Sequence, residues 1–268
     1  MIEVKGTALI TGASSGIGAI YADRLARQGY DLILVARSAG KLDAVAKAIR
    51  EATARQVETV AADLGNPHDL RTIEARLATD AGITMLVNNA GIGSTAQTLV
   101  ADVDAMSAMV SLNVNALMRL SYAAVPAFAG RGHGAIVNIA SIVAVAPEVL
   151  NGVYGGTKAF VLAFSQNLRH ELAGTGVQVQ VVLPGATATD FWDIAGTPVG
   201  HLPGEIVMRA DDLVDAALVG LAREEFVTIP GLHDDTRWDV FEAARQAMAG
   251  ELSTSTPAPR YRLHEGAL

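Results

Sequence analysis

The feature that most constrains this chain is a recurrence of short, almost wholly apolar runs separated by longer stretches of helical period. Residues 7–10, 32–35, 57–61, 83–87, 135–139, 177–183 and 226–229 have the length and β-branched content of buried strands. These runs do not alternate apolar with polar residues, so they suit a sheet covered on both faces rather than one with a wet side. Between them, residues 17–28, 41–52, 67–79, 103–128, 156–173 and 211–223 repeat apolar side chains at helical spacing, as Leu42, Val45, Ala46 and Ile49 show. Strand and helix alternating along one chain predict an α/β fold, a doubly wound, seven-stranded parallel sheet with helices on both faces and right-handed crossovers. No internal boundary or repeat stands out, so residues 1–250 are expected to form a single domain that ends in a further helix at 234–249. Residues 251–268 are expected to be a flexible tail, because the Ser/Thr/Pro-rich stretch 253–259 buries too little surface to order itself.

Composition narrows the function classes. Twenty Lys and Arg against 28 Asp and Glu leave a formal charge of −8, which argues against a nucleic-acid partner. The longest apolar stretch, 135–147, is broken by Asn138 and Ser141 and falls short of the roughly 18 residues of a membrane span. There is no Cys, so a disulfide framework, a thiolate metal site and a cysteine nucleophile are all excluded. The six histidines, His68, His133, His170, His201, His233 and His264, are scattered without metal-ligand spacing, and no metal is expected. Met1 to Gly6 lack the charged, apolar and small-residue segments of a secretory signal, which makes the cytoplasm the expected compartment.

The first predicted strand runs straight into Thr11-Gly12-Ala13-Ser14-Ser15-Gly16-Ile17-Gly18 and then a helix. Glycines there permit a tight turn and close backbone approach, while the helix start offers free N–H groups to a pyrophosphate. The spacing Gly-x-x-x-Gly-x-Gly is not the common dinucleotide fingerprint, and by itself such a turn also fits a plain strand–helix connection. The second strand ends in Ala36-Arg37-Ser38, where a dinucleotide site expects an acid for a ribose 2′-hydroxyl or a base for a 2′-phosphate. Arg37 favours NADP(H) over NAD(H).

Tyr154 and Lys158 lie four apart in a predicted helix, so both project from one face a turn apart. A free tyrosine titrates near pH ~10; an adjacent ammonium stabilises the phenolate and is expected to bring Tyr154 closer to the working range of an acid–base catalyst. Ser141 follows the predicted strand 135–139, at the carboxyl edge of the sheet where ligands bind.

Together with Asp63-Leu64, Asn88-Asn89-Ala90-Gly91, Asn113, Tyr154-Gly155-Gly156-Thr157-Lys158 and Pro184-Gly185-Ala186-Thr187-Ala188-Thr189, these motifs resemble the short-chain dehydrogenase/reductase family in their expected order. The likeness runs from Thr7 to about Ile229 and implies a Rossmann fold that carries hydride between a nicotinamide cofactor and a carbonyl or alcohol carbon. It implies that Asn113, Ser141, Tyr154 and Lys158 are catalytic, with Ser141 bonded to the substrate oxygen, Tyr154 moving its proton and Lys158 on the nicotinamide ribose. Asn113 would hold a water that relays protons to Lys158; a buried Asn bonded to backbone is the alternative. For the cofactor, the resemblance points to Gly12, Ser14, Ser15, Gly16, Ile17 and Gly18 at the phosphates, and to Arg37 and Ser38 beside the adenine ribose. It places Asp63 and Leu64 at the adenine, Asn89, Ala90 and Gly91 along the ribose and pyrophosphate, and Pro184, Gly185, Thr187 and Thr189 at the carboxamide. It further implies a homo-oligomer, dimer or tetramer, through helices 103–128 and 156–173.

The expected partner is a small carbonyl or alcohol. Ile142, Val143, Val149 and Leu150, with Phe191 and Trp192, are expected to line an apolar pocket for a hydrophobic ketone or aldehyde, and no Arg or Lys occurs in 141–153. The Gly/Pro-containing segment at about 190–210 is expected to be a substrate lid, with a loosely packed connector as the alternative. An NAD-linked alcohol dehydrogenase of the same family and a non-catalytic dinucleotide sensor are the competing functions; the presence of all four catalytic residues weighs against the sensor.

Overall fold

Strand β1 (Thr7–Thr11) shows how the sheet is built: Ala8 and Ile10 face one side and Leu9 the other, and all are fully buried. A computed structural model describes residues 5–261 of this chain. In it β1 pairs on both sides, with β2 (Asp31–Ala36) and β4 (Ile83–Asn88). β3 (Val57–Ala61), β5 (Gly134–Ile139), β6 (Val177–Val182) and β9 (Val227–Thr228) complete a seven-stranded sheet, order β3-β2-β1-β4-β5-β6-β9. Every pairing in it is parallel. The short strands β7 (Thr187–Ala188) and β8 (Met208–Arg209) form a separate parallel pair.

The strands' continuous apolarity resolves into two cores. One face packs Ile10, Leu34 and Val137 against Tyr21 and Leu25 of α1 (Gly16–Arg27), Leu42 and Ile49 of α2 (Ala39–Thr53), and Leu213 and Val214 of α8 (Ala210–Ala222). On the other, Leu9, Ile33, Leu86 and Ile136 meet Leu70, Ile73 and Leu77 of α3 (Pro67–Thr79), and Leu120 and Phe128 of α5 (Leu117–Arg131). Side chains alternate across a strand, so a strand covered twice needs apolar residues in both registers.

Two helices differ from expectation. The predicted helix 103–128 is three segments, α4 (Val103–Val110), a π-helical turn (Ser111–Ala116) and α5. α6 (Gly152–Glu171) begins earlier than predicted because Asn151 sets its start: Val153 and Tyr154 donate their backbone N–H groups to Asn151 Oδ1 at 2.9 and 3.3 Å. This is an N-cap of the kind Asn favours.

The chain divides into two compact units, Met1–Gly231 and Leu232–Leu268, so the division falls before the expected one at 250. The reason is that the sheet ends with β9, while α9 (Thr236–Met248), in the second unit, buries no residue. Of the expected tail, residues 251–261 include the end of one 3-10 turn, Ala249–Glu251, and all of another, Pro259–Tyr261; residues 262–268 lie outside the described part. Among the described residues no helix is long and apolar enough to cross a membrane.

Candidate active site

β1 lies where the strand order turns back, with β2 on one side and β4 on the other, and ligands of open α/β sheets bind beyond the strand ends at such a point. Thr11, fully buried at the end of β1, joins the two turns there: its hydroxyl accepts from the backbone N–H of Asn89 and of Ala90, both at 3.0 Å. Asn89 Nδ2 donates to the carbonyls of Thr11 and Gly12 at 2.9 and 3.2 Å. Gly12 has φ +66, and a Cβ on it would lie 2.8 Å from Asn89 Nδ2. At Gly18 a Cβ would stand 2.4 Å from the Gly12 carbonyl oxygen, a distance no side chain tolerates. Ser15 caps α1 without a side-chain hydrogen bond, and its first turn holds no acid. The amides at Gly16, Ile17 and Gly18 and the positive end of the helix are therefore left for an anion.

These features fit a dinucleotide's pyrophosphate, and the loop holds Ser14 and Ser15 beside them. Arg37 is exposed at the end of β2 and makes no ion pair among the described residues; Ser38 next to it caps α2 with its hydroxyl unengaged. Asp63 is exposed, its Oδ1 accepting from Gly65 N at 2.9 Å. Leu64 departs from the expectation: its side chain is buried in the α3/α5 core, leaving only its backbone for an adenine. On the opposite wall a Cβ at Gly16 would meet Thr189 Cγ2 at 3.2 Å, so the loop after β6 closes over the glycine turn. Thr187 Oγ1 donates to the Gly185 carbonyl at 3.0 Å, and the carbonyl of buried Pro184 accepts from Ile142 N at 3.0 Å.

The four predicted catalytic residues come together. Tyr154 and Lys158 share the buried face of α6, and the Tyr154 hydroxyl lies near enough to buried Ser141, just after β5, for that side chain to favour its ionised form; the Ser141 hydroxyl itself donates to the Pro184 carbonyl at 3.4 Å. Lys158 Nζ donates to the Ile139 carbonyl at 2.8 Å and lies 5.8 Å from the centre of the Tyr154 ring. Gly91 faces the same point, since a Cβ there would lie 3.7 Å from Lys158 Nζ and 3.1 Å from Asn113 Oδ1. The Asn113 amide, in the π turn, bonds backbone: its Oδ1 accepts from Ile92 N at 2.9 Å, and its Nδ2 donates to Ile92 O at 2.8 Å and Thr157 Oγ1 at 3.2 Å. The side chain thus takes the backbone-bonded alternative, and a water relay to Lys158 would have to use the backbone of the π turn.

The electrostatics overturn one expectation. Burial pushes the Tyr154 hydroxyl up to about 12, with nearby Ser141 acting the other way. Burial also lowers Lys158 to about 8. The ammonium was expected to depress the tyrosine; instead the loss of water around both groups dominates, because desolvation disfavours each charged form.

Met109, Val143 and Tyr154 form a small apolar cluster, with Ile92, Met106, Leu150, Val153 and Phe191 packed against it. Of the residues expected in the pocket, Val143, Leu150 and Phe191 belong to this cluster. Ile142 is half-buried outside it, and Val149 is 59% exposed at the rim. Trp192 is turned inward, its indole N–H donating to the Thr187 carbonyl at 2.9 Å. The expected lid is an excursion between the paired strands β7 and β8, containing α7 (Phe191–Ala195) and two 3-10 turns. It is clasped to the loop after β4: Thr95 N and Oγ1 both donate to the Ala195 carbonyl at 3.0 Å, and Thr197 Oγ1 donates to Thr95 Oγ1 at 3.1 Å. The same loop is tied to the start of α6, where Asn151 Nδ2 donates to the Ala96 carbonyl.

Sequence reading included Thr11 in the glycine loop without giving it a role, and missed Asn151, Met106, Met109 and the Gly93–Thr95 segment as parts of the site. Asn151 carried a usable signal, an N-cap residue three before Tyr154; the methionines carried none beyond helical period.

A parallel sheet with an open switch point, a glycine cradle and a buried Ser–Tyr–Lys group define a dinucleotide-linked oxidoreductase fold. The family model for short chain dehydrogenases matches residues 6–197, and the chain belongs to the short-chain dehydrogenase/reductase family. Among solved structures it is similar to a short-chain dehydrogenase from Sphingobium yanoikuyae in complex with NADPH, at 49% identity and TM-score 0.93 over 96% of this chain and 100% of that one. It is also similar to the bulky-bulky ketone specific alcohol dehydrogenase from Comamonas testosteroni, at 44% identity and TM-score 0.89 over 97% and 99%. Among curated relatives, very-long-chain 3-oxoacyl-CoA reductase-B of Danio rerio is 36% identical over 66% of this chain, which spans 58% of that protein's length.

Proposed function

We propose that this protein is an NADP(H)-dependent oxidoreductase that interconverts a hydrophobic ketone or aldehyde and its alcohol. The observation that carries the reading is buried Tyr154, with Ser141 near its hydroxyl and Lys158 Nζ 5.8 Å from its ring centre, in an apolar cluster without a charged member. Unpaired Arg37 supports the 2′-phosphate form of the cofactor, as does the NADPH in the Sphingobium structure. The bulky-bulky ketone specificity of the Comamonas enzyme supports a ketone with large apolar groups.

When bound, the nicotinamide supplies the hydride that the carbonyl carbon accepts. The chain's own residues handle the oxygen. Ser141 donates a hydrogen bond to it, and Tyr154, protonated at neutral pH, gives it a proton. The phenolate left behind is stabilised by the Lys158 ammonium, an interaction strengthened by the dry surroundings. Gly12, Gly16 and Gly18 admit the pyrophosphate to the amides of α1.

The reading includes a homo-oligomer and a cytoplasmic location. Stacked rings on α5 and α6 support the first: Tyr122 is 66% exposed, with its centroid 6.1 Å from Phe164, which stacks in turn on Phe160 at 5.6 Å.

The test is a panel of ketones, aldehydes and alcohols run with NADPH, NADH and their oxidised forms across pH. Reduction with NADPH should be the favoured reaction and level through neutral pH, because Tyr154 stays protonated toward about 12. Above about 8, Lys158 loses its proton, the phenolate loses its counter-charge, and the reduction rate should fall. Equal use of NADH would remove the NADP(H) assignment, and no turnover of any carbonyl or alcohol would remove the function.

A further inference from the structure

Phe191 and Trp192 are neighbours in α7 with opposite fates. Trp192 is buried and tied by its N–H to Thr187, which fixes the start of the helix. Phe191 turns the other way: its ring centre lies 5.7 Å from that of Tyr154 at an angle of 44°, and it meets the Trp192 ring edge-on at 5.6 Å. The place it occupies exists because residue 93 has no side chain. A Cβ at Gly93 would stand 2.3 Å from Phe191 Cζ and 2.8 Å from Cε2, and Gly93 does not have a positive φ. Room for the ring, rather than backbone freedom, is what glycine supplies there. The same loop is clasped to the end of α7 through Thr95, so seat and ring are held together.

We infer that Phe191, seated on Gly93, is the specificity-determining residue that limits the size of the substituent a carbonyl substrate can place against the Tyr154 ring. The inference rests on the carbonyl-reductase reading and sharpens its substrate class. With the ring seated, the apolar volume beside Tyr154 is partly filled by the protein itself. Smaller side chains at 191, or a side chain at 93 that unseats the ring, should shift preference toward bulkier ketones.

The experiment compares wild type, Phe191→Ala, Gly93→Ala and the double variant. The readout is the ratio of kcat/KM for a ketone with two phenyl-sized groups to that for one with two ethyl-sized groups. Phe191→Ala should raise the ratio about tenfold, and Gly93→Ala should raise it in the same direction. Once Phe191 is Ala, adding Gly93→Ala should change the ratio by less than about twofold, since the two sites act through one contact. Phe191→Trp should lower it. Additive effects, or an unchanged ratio in Phe191→Ala, overturn the inference. Should Gly93→Ala fail to fold while the double variant folds, that rescue is the same coupling; should neither fold, the opposite shifts of Phe191→Ala and Phe191→Trp decide. Dead-end binding of both ketones to the NADP+-loaded protein, followed by calorimetry, gives the same ratio without turnover. If the wild type binds ketones with this pattern but reduces none, the functional reading falls and the size limit stands; reduction without the pattern does the reverse.

Discussion

The two sides of Tyr154 are built from different materials. On the nucleotide side, the contacts are backbone to backbone or through short side chains: Thr11 joins Asn89 and Ala90, and Gly18 packs on the Gly12 carbonyl. The substrate side consists of longer side chains from three excursions, with Val143 and Leu150 after β5, Met106 and Met109 on α4, and Phe191 on α7. Several neighbours on those excursions face solvent, among them Leu99, Val149 and Ile194. A pyrophosphate presents the same charge and shape in every relative that binds it, so backbone amides suffice. Apolar substrates are distinguished by volume, which side chains on loops can vary without disturbing the sheet.

That contrast can be broken at named positions. Tyr154→Phe, at the junction of the two sides, should lower kcat/KM by about a thousandfold while leaving NADPH affinity within about threefold; binding can be followed by fluorescence titration. Gly18→Ala puts a methyl 2.4 Å from a backbone oxygen. It should cost at least about a hundredfold in cofactor affinity or prevent folding, whereas Val149→Ala, at the exposed rim, should change stability by less than about 0.5 kcal/mol. Arg37→Ala should weaken NADPH by about 10- to 100-fold and NADH by less than about twofold, since only one carries the phosphate. An equal loss for both would take Arg37 out of the phosphate site.

The smallest effect concerns stability. Lys158 is buried with its folded pKa lowered to about 8 from 10.5, so between those values the unfolded chain binds more protons than the folded one. Stability contributed by this group therefore rises with pH across that window. At pH 7 the folded protein carries the full cost of the buried charge. Lys158→Met should then be more stable by about 1–3 kcal/mol at neutral pH, with the gain shrinking as pH passes 8, measured by urea unfolding of the cofactor-free protein.

The fold was legible because its signal is repeated: each of the seven strand predictions lies on a strand of the sheet, and a doubly covered strand has to be apolar throughout. The grouping of Asn113, Ser141, Tyr154 and Lys158 was legible through the family resemblance; spacing alone reached only the Tyr154–Lys158 pair and the place of Ser141 at a strand end. What the strings 103–128 and 156–173 did not reveal was how the helices begin and change pitch. In the π turn Asn113 is held by the Ile92 backbone, and at the start of α6 Asn151 caps the helix. Both are contacts between side chain and backbone that period analysis does not register. The division at 231 was hidden too, because α9 has an ordinary helical sequence and only its lack of buried residues sets it apart.

The sequence by itself determined the sheet and the glycine turn, because period and spacing are local properties, and its family resemblance singled out Tyr154 as the proposed proton donor. Tertiary structure alone decided the protonation state of that tyrosine. Spacing placed an ammonium near Tyr154 and suggested a lowered pKa, yet the folded chain removes water from both groups and pushes the tyrosine up to about 12. It also decided that Gly93 is a seat rather than a turn. Burial and close approach are sums over residues distant in the chain, and no local pattern contains them.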